Sequence, residues 1–296
     1  MYNGVCVAVT LVCKYHCTLF IIHCTFYFDN CYMKLLFTLL FLAQLVQAQT
    51  TREPLFTAAD GTKIHYDTLG RGPAVVLIHG FIGNGDSWKR AALTNMLVDS
   101  GFSVVTLDLR GNGRSDRSHD PKAYMNDVEA RDVIALMKHL GHRTYNVVGY
   151  SRGSIIAAKV LAIAPKNTVH KAVLGGMGTG FTDPNWFRRR NFYEALAKPG
   201  SHPDLLPAVT YAVKSGADTT ALKYMQQFQP VTTMAELKRV QQPVLVISGD
   251  KDEDNGKASE LAAVFPHATL ATVPGDHGST MGTAAFARRV TAFLKQ

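Results

Sequence analysis

The sequence predicts an α/β fold: a three-layer α/β/α sandwich around a mostly parallel sheet of about eight strands. Two observations lead to this expectation. Short apolar runs rich in valine and isoleucine alternate along the chain with longer segments of helical periodicity. These runs are apolar at nearly every position rather than at every second one, a pattern typical of strands that are buried on both faces.

The predicted strands come in two groups. Continuous apolar runs predict strands at residues 74–78, 102–107, 144–148, 171–174, 243–247 and 269–273. Before them, residues 57–68 are interrupted by Asp60 and Gly61, a turn pair that predicts an antiparallel hairpin. We therefore expect a hairpin that leads into a parallel sheet.

Helical periodicity fills the segments between the strands. It predicts helices over residues 86–99, 123–140, 154–161 and 280–294. Residues 178–240 break the alternation, because the segment is longer than one crossover needs and contains several prolines and aromatic residues. We interpret it as a small helical cap over a site; a plain surface excursion is the alternative.

The start of the chain differs in composition from the rest. All five cysteines lie within the first 32 residues. Residues 33–48 begin with Met33 and Lys34, continue with an apolar run and end in small residues, as a secretory signal peptide does. Residues 1–32 are then translated upstream sequence outside the fold, with a transmembrane segment as the alternative. The mature protein is expected to comprise residues 49–296, in a periplasm or outside the cell, with no disulfide.

The charge and composition of the chain limit the classes of ligand that we expect it to bind. The formal net charge is +8, but the basic residues are scattered, and their densest cluster is residues 188–190. A nucleic-acid surface would need a longer basic stripe within a recognisable module. The sequence shows no metal-ligand spacing. We expect a small-molecule substrate, no cofactor, no metal, no nucleic acid and no stable membrane span after signal cleavage; the oligomeric state is left open.

Residues 149–153 form the pattern Gly-Tyr-Ser-Arg-Gly between a predicted strand and a predicted helix. In this context a G-x-S-x-G pattern makes a sharp turn that exposes the serine hydroxyl. Glycine is needed at both ends because bulkier side chains would collide in so tight a turn. Ser151 is therefore a candidate nucleophile for attack on a carbonyl carbon.

Four further motifs follow other predicted strands. They are His-Gly-Phe at 79–81, Asp-Leu-Arg-Gly-Asn-Gly-Arg-Ser at 108–115, Gly-Asp-Lys-Asp at 249–252 and Gly-Asp-His-Gly at 275–278. In these motifs and their order the chain resembles the α/β-hydrolase superfamily over nearly all of residues 54–296. The resemblance implies the α/β-hydrolase fold and a serine esterase-like or lipase-like enzyme, with the chain order serine, acid, histidine.

The resemblance assigns a role to each member of a catalytic triad. A serine hydroxyl is a weak nucleophile at neutral pH, so a base must remove its proton during attack. His277, after the last strand, is the expected base. The acid that orients its ring is expected to be Asp252, which matches the family spacing, with Asp250 as the alternative.

The resemblance also implies how the developing negative charge is stabilised. The expected oxyanion donors are the backbone N–H groups of Phe81 and Arg152. His79 is expected to brace the oxyanion loop rather than act as a second base, and Asp108 and Arg110 to hold the loop after the fourth strand. The side chain of Arg152, unusual after the nucleophile, either pairs with a carboxylate or anchors the turn; we expect the anchor.

The expected function is a secreted serine hydrolase that cleaves carboxylic esters with an apolar portion through an acyl-enzyme. Lactonase, perhydrolase, C–C hydrolase, amide hydrolase and acyltransferase activities use the same triad, so the fold leaves them open. A hydrolase-like ligand-binding protein is the alternative from another class. Dehalogenase and epoxide hydrolase mechanisms are disfavoured, because relatives with those activities carry aspartate where this chain has Ser151.

Overall fold

The computed structural model describes residues 7–12, 18–23 and 54–296, and the chain divides into two units at residues 52 and 53. In the first unit, strands β1 (Val7–Val12) and β2 (Thr18–His23) pair antiparallel. The signal peptide predicted at residues 33–48 lies outside the described residues. The interpretation of residues 1–32 as upstream sequence stays a prediction.

The second unit is built on an eight-stranded sheet. Its strands are β3 (Leu55–Thr57), β4 (Lys63–Leu69), β5 (Ala74–Ile78), β6 (Ser103–Leu107), β7 (Tyr145–Tyr150), β8 (Val169–Gly175), β9 (Val244–Gly249) and β10 (Ala268–Val273). Their order is β10-β9-β8-β7-β5-β6-β4-β3. The pairs from β10 to β6 are parallel, whereas β4 pairs antiparallel with β6 and with β3. The predicted fold class is confirmed.

Helices cover both faces of this sheet. They are α1 (Asp86–Arg90), α2 (Ala92–Asp99), α3 (Val128–His139), α4 (Arg152–Ile163), α5 (Phe187–Ala197), α6 (Leu206–Lys214), α7 (Thr219–Gln227), α8 (Met234–Leu237), α9 (Ala258–Ala262) and α10 (Ala284–Lys295). None of the helices in the described part of the chain is long and apolar enough to span a membrane.

Alternate residues of one strand enter different cores. Val76 and Ile78 of β5 pack in a cluster with residues of α3, α4 and α9. Val75 and Leu77 pack in a second cluster with residues of α1, α2 and α10. Because successive side chains of a strand point to opposite faces, a strand that is apolar throughout can serve both layers. This explains the continuous apolar runs.

All four predicted helices have somewhat different bounds in the structure: the one expected over residues 154–161 covers Arg152–Ile163, and the one expected over residues 280–294 covers Ala284–Lys295. The other two differ for a reason visible in the backbone. The helix expected over residues 86–99 is two helices, because Ala91 between them is extended, with φ −79° and ψ 145°. The helix expected over residues 123–140 begins only at Val128. Asn126 and Asp127 have φ values of 60° and 56°, in the left-handed region where a right-handed helix cannot continue.

Between β8 and β9 the chain forms helices α5 to α8. Ala212, Leu222 and Met225 from this segment form a small apolar cluster with Tyr124. Phe81, at the carboxyl end of β5, packs against the same cluster. The segment therefore contacts the loops at the carboxyl ends of the strands, which supports the prediction of a cap for residues 178–240.

Candidate active site

The turn between β7 and α4 presents Ser151 in an unusual backbone conformation. Ser151 has φ 54° and ψ −125°, which few residues other than glycine adopt. A Cβ atom on Gly149 would lie 2.2 Å from the carbonyl oxygen of Gly153, and one on Gly153 would lie 2.1 Å from the carbonyl oxygen of Ile78. Only glycine fits at these two positions, so the turn can form only with glycines on both sides of the serine.

Three side chains predicted to act together are in hydrogen-bond contact. Ser151 Oγ lies 2.9 Å from Nε2 of His277. Nδ1 of the same ring lies 3.0 Å and 3.1 Å from the two carboxylate oxygens of Asp252. The Asp252 side chain is 3% exposed and that of His277 is 19% exposed. In this arrangement the serine hydroxyl donates to Nε2, and Nδ1–H donates to the carboxylate.

The two aspartates that the sequence left open have different positions. Asp250 Oδ1 accepts a hydrogen bond of 2.9 Å from the backbone N–H of Gly275, so it braces the loop that carries the histidine. Asp252 is the one whose carboxylate reaches the imidazole. Asp276 accepts hydrogen bonds from Ser279 and shapes the local turn.

Two residues that the sequence analysis did not single out hold His277 in place. The hydroxyl of Tyr150 donates to the carbonyl oxygen of His277 at 2.8 Å, and the two rings lie 5.4 Å apart. Asn255 donates to the carbonyl oxygen of Gly176 at 3.0 Å. Its Nδ2 atom lies 3.3 Å and 3.4 Å from the two ring nitrogens, so the amide packs against the imidazole. Tyr150 could have been suspected from its place in the serine motif, but no local pattern marks Asn255.

Both predicted oxyanion donors lie next to the serine. Arg152 is the first residue of α4, where a backbone N–H has no acceptor within the helix and the helix dipole favours negative charge. Phe81 follows Gly80, whose Cβ position would lie 3.4 Å from Cβ of Ser151. Both residues line the same cavity as Ser151. Two N–H groups are thus available near the point where an oxyanion would form.

His79 joins the loops after β5 and β6. Its Nε2 accepts a hydrogen bond of 3.0 Å from the N–H of Leu109, so its proton sits on Nδ1 and is donated to the carbonyl oxygen of Gly80 at 2.7 Å. Burial lowers the pKa of His79, which keeps the ring neutral. This geometry fits the bracing role that the resemblance implies.

Asp108 and Arg110 hold the loop after β6. Asp108 accepts backbone hydrogen bonds of 2.7 Å each from Gly85 and Arg114. The guanidinium of Arg110 is buried and pairs with Asp132 and with Asp60, each at 2.7 Å. Every one of these contacts is to the protein itself, which favours the structural role expected for both residues.

The side chain of Arg152 both pairs with a carboxylate and anchors the turn. Its Nη1 donates to Glu129 at 2.7 Å, and its Nη2 donates to the other oxygen of that carboxylate at 2.5 Å. Nη2 also donates to the carbonyl oxygen of Met225 at 2.9 Å. The sequence analysis favoured the anchor alone and named no partner. One buried guanidinium thus joins α3, α4 and helix α7 of the predicted cap.

A cavity of about 520 Å³ opens onto Ser151 and His277. Trp186, Phe192 and Tyr211 of the predicted cap form part of its wall. Such a cavity, largely apolar with a few polar groups, suits a small or medium-sized organic molecule. Among the described residues, no group of three or more His, Cys, Asp and Glu side chains could hold a metal ion.

Comparisons with known proteins agree with the fold. Residues 73–200 match the family model described as alpha/beta hydrolase fold. A putative non-heme chloroperoxidase from Synechocystis sp. is 40% identical over 111 residues, which are 38% of this chain and 39% of that protein. A non-heme haloperoxidase from Rhodococcus erythropolis is 28% identical over 263 residues, covering 76% of this chain and 93% of that protein.

The fold also matches solved structures. An esterase from Exiguobacterium antarcticum superposes with a TM-score of 0.70 at 20% identity, over 83% of this chain and all of that chain. The sheet order, the sharp serine turn after β7 and the family match all lead to the same conclusion. Residues 73–200 thus match the alpha/beta hydrolase family, and the chain is an enzyme with the α/β-hydrolase fold.

Proposed function

We propose that the protein is an exported serine hydrolase that cleaves carboxylic esters through an acyl-enzyme on Ser151. The observation that carries the proposal is the unbroken line of hydrogen bonds from Ser151 Oγ to His277 and from His277 to Asp252, at 2.9 Å and 3.0 Å. A line of this kind is what a serine needs to become a nucleophile at neutral pH.

The first half of the reaction forms the acyl-enzyme. Ser151 Oγ attacks the ester carbonyl carbon while its proton moves to Nε2 of His277. The carbonyl oxygen becomes negatively charged, and the N–H groups of Phe81 and Arg152 stabilise it; one such donor contributes about 3 kcal/mol in other serine hydrolases. When the tetrahedral intermediate collapses, the C–O bond to the alcohol breaks, and the alcohol leaves with the proton from His277.

The second half releases the acid. Water attacks the acyl carbon and gives its proton to His277, and the ester bond to Ser151 then breaks as the serine oxygen takes that proton back. In both halves the imidazole becomes positively charged. The buried carboxylate of Asp252 stabilises that charge and keeps the Nε2 atom directed at the serine.

Perhydrolysis is the second candidate, and the names of the similar proteins favour it. Two relatives are described as a non-heme chloroperoxidase and a non-heme haloperoxidase. If hydrogen peroxide replaces water as the acyl acceptor, the product is a peracid, which can oxidise a halide without a haem. Lactone hydrolysis, C–C bond hydrolysis and acyl transfer use the same triad, and a substrate screen separates them.

The proposal is tested first by covalent labelling. Protein comprising residues 49–296 and its Ser151→Ala variant are treated with a fluorophosphonate, and the adduct is located by mass spectrometry. We expect an adduct on Ser151 in the unsubstituted protein, none in the variant, and none after unfolding in urea. Folded protein that takes up no label contradicts the serine mechanism.

Turnover then separates the chemistries. The enzyme that reacts with the fluorophosphonate is assayed, with and without hydrogen peroxide, on alkyl esters from acetate to decanoate and on simple lactones. Release of acid from esters supports the first candidate, whereas formation of peracid at a comparable rate favours the second. If the protein is labelled at Ser151 but turns over none of these substrates, Ser151 is still an activated nucleophile, and the proposed ester cleavage is contradicted.

A further inference from the structure

The predicted cap brings an unbalanced positive charge to the cavity wall. Arg188 and Arg189 both line the cavity with Ser151. Arg188 is balanced, since its Nη2 lies 3.6 Å from Asp254 and its guanidinium lies 5.3 Å from the ring centroid of Phe192. Arg189 forms no ion pair with any residue in the described part of the chain; its partners are two backbone carbonyl groups.

Those carbonyl groups hold the Arg189 side chain in one orientation. Nε donates to the carbonyl oxygen of Gln226 at 2.9 Å and Nη2 to that of Gln227 at 2.5 Å, both at the end of α7. A guanidinium has five N–H donors, so three of them, on Nη1 and Nη2, remain available. One N–H from each of these two nitrogens forms the fork that binds both oxygens of a carboxylate.

The surroundings of Arg189 favour the arrival of an anion. Burial, together with the positive charge of Arg152, lowers the pKa of Arg189, so its charge is unfavourable while no carboxylate is paired with it. Arg152 cannot accept an anion in its place, because Glu129 already neutralises it. Asp254 also lies in the cavity wall, but its carboxylate is paired with Arg188 and not with Arg189.

Two glutamines complete this part of the wall. Gln226 and Gln229 line the cavity and are only 4% and 5% exposed. Neither side-chain amide is hydrogen-bonded to a described residue, and neither is among the fully buried polar groups without a partner, so both amides are open to the cavity. Amide groups left without a protein partner on a cavity wall can donate to a bound ligand. The same wall includes Trp186 and Phe192, whose apolar surfaces suit a methylene chain.

We propose that the substrate is a half-ester of a dicarboxylic acid, whose free carboxylate binds Arg189, Gln226 and Gln229 while its ester carbonyl reaches Ser151. This inference rests on the proposed ester hydrolysis and names its substrate class. A neutral ester of the same length would leave the Arg189 charge without a partner, so the cavity discriminates between the two. The basic protein, with a net charge of +8, also attracts such an anion from solution.

The test compares two ligands of nearly equal shape on protein that cannot turn them over. Ser151→Ala protein is titrated with monomethyl adipate and with dimethyl adipate in a calorimeter. We expect the half-ester to bind at least about tenfold more tightly, as one hydrogen-bonded charge pair allows. The difference should shrink at high salt, because part of the charge pair is open to solvent.

The variants assign that difference to one side chain. Adding Arg189→Gln to Ser151→Ala should bring the two affinities together. Arg190→Gln is the matched control, because Arg190 is the next residue of the same helix but does not line this cavity. Its side chain is 66% exposed, and its Nε lies 3.8 Å from the Glu194 carboxylate. This variant should keep the difference intact.

Each result of these titrations either supports or overturns the proposed binding of a half-ester. Equal affinity of the two esters for Ser151→Ala protein overturns it without any Arg189 variant, so the test does not depend on that variant folding. A preference that survives Arg189→Gln also overturns it. The proposed function is tested independently of this inference. The unsubstituted enzyme can be labelled at Ser151 and can hydrolyse dimethyl adipate even if it shows no preference for the half-ester.

Discussion

The serine turn shows how single residues set the geometry of the site. Ser151 takes a conformation with φ 54° that costs a residue with a side chain on the order of 1–3 kcal/mol. The contacts around Gly149 and Gly153 enforce it, since neither position has room for a Cβ atom. The strained backbone places the hydroxyl at the mouth of the cavity and the N–H of Arg152 beside it.

The aspartates after β9 give a prediction with a built-in control. Asp252→Asn should lower kcat/KM for an ester by about 10³- to 10⁴-fold, because an amide can neither fix the imidazole tautomer nor stabilise its positive form. Asp250→Asn keeps an oxygen for the N–H of Gly275 and should change kcat/KM by less than about tenfold. Steady-state kinetics of both variants check this; the reverse ranking would assign the acid to Asp250.

The buried His79 predicts a pH dependence of stability. Burial lowers its pKa in the folded protein, whereas the unfolded side chain titrates near 6.5. As the pH falls below about 6.5 the unfolded state binds a proton that the folded state does not. The free energy of unfolding should therefore fall, by up to about 1.4 kcal/mol per pH unit, until the folded pKa is reached.

Urea denaturation from pH 7.5 to pH 5 measures this effect. The comparison is with His79→Gln, which keeps an acceptor for the N–H of Leu109 but cannot take up a proton. The slope of stability against pH should be shallower in the variant by about one proton. Parallel slopes in the two proteins would mean that His79 does not carry the effect.

At the scale of elements, one ion pair joins helices from three parts of the chain. Arg152 at the start of α4 binds Glu129 of α3 and the carbonyl oxygen of Met225 in α7. The backbone N–H of the same arginine is a proposed oxyanion donor. Movement of α7 against α4 would therefore be transmitted through this side chain to the proposed donor.

Removing one charge of the ion pair between Arg152 and Glu129 should lower the stability of the folded protein. Glu129→Gln leaves the guanidinium of Arg152 buried without a counter-charge, and we expect it to lower the free energy of unfolding by about 3 kcal/mol. Replacing both residues, as Glu129→Leu with Arg152→Met, removes the charges together and should recover much of that loss. Urea-induced unfolding of the single and double variants measures both values; a loss below about 1 kcal/mol in Glu129→Gln would contradict the prediction.

For the molecule as a whole, the parallel sheet explains why distant residues meet. The carboxyl ends of β5, β7, β9 and β10 lie at one edge, and the loops after them carry Phe81, Ser151, Asp252 and His277, in that order. Ser151 and His277 are 126 residues apart in the chain yet in hydrogen-bond contact. Ligand sites of open α/β sheets form at this edge for the same reason.

The proposed export gives a prediction for the whole chain. The segment of residues 33–48 should direct secretion and then be removed, because it has the charge and apolar pattern of a signal peptide. Expressed from Met33 in a bacterium, the exported protein should begin at Gln49. N-terminal sequencing of the periplasmic fraction checks this, with a chain started at Gln49 as the control that stays in the cytoplasm. A Met33 product retained in the cytoplasm at full length would contradict export.

Features that depend on local pattern were predictable. Continuous apolar runs located the strands, because a strand buried on both faces must be apolar throughout. The glycines on either side of Ser151 marked the sharp turn, because no other residue fits there. The break before α3 was missed, since the left-handed conformations of Asn126 and Asp127 leave no mark on hydrophobic periodicity.

The sequence by itself determined the sheet, the serine turn and the resemblance to the α/β hydrolases, since all three follow from residue types at short spacing. Only the tertiary structure decided that Asp252 reaches His277, that Asn255 packs on its ring, and that Arg189 has no carboxylate partner among the residues that the structure describes. Each of these depends on which side chains packing brings together across long stretches of chain. Local periodicity does not encode such distances, whereas the folded sheet and the helices above it set them.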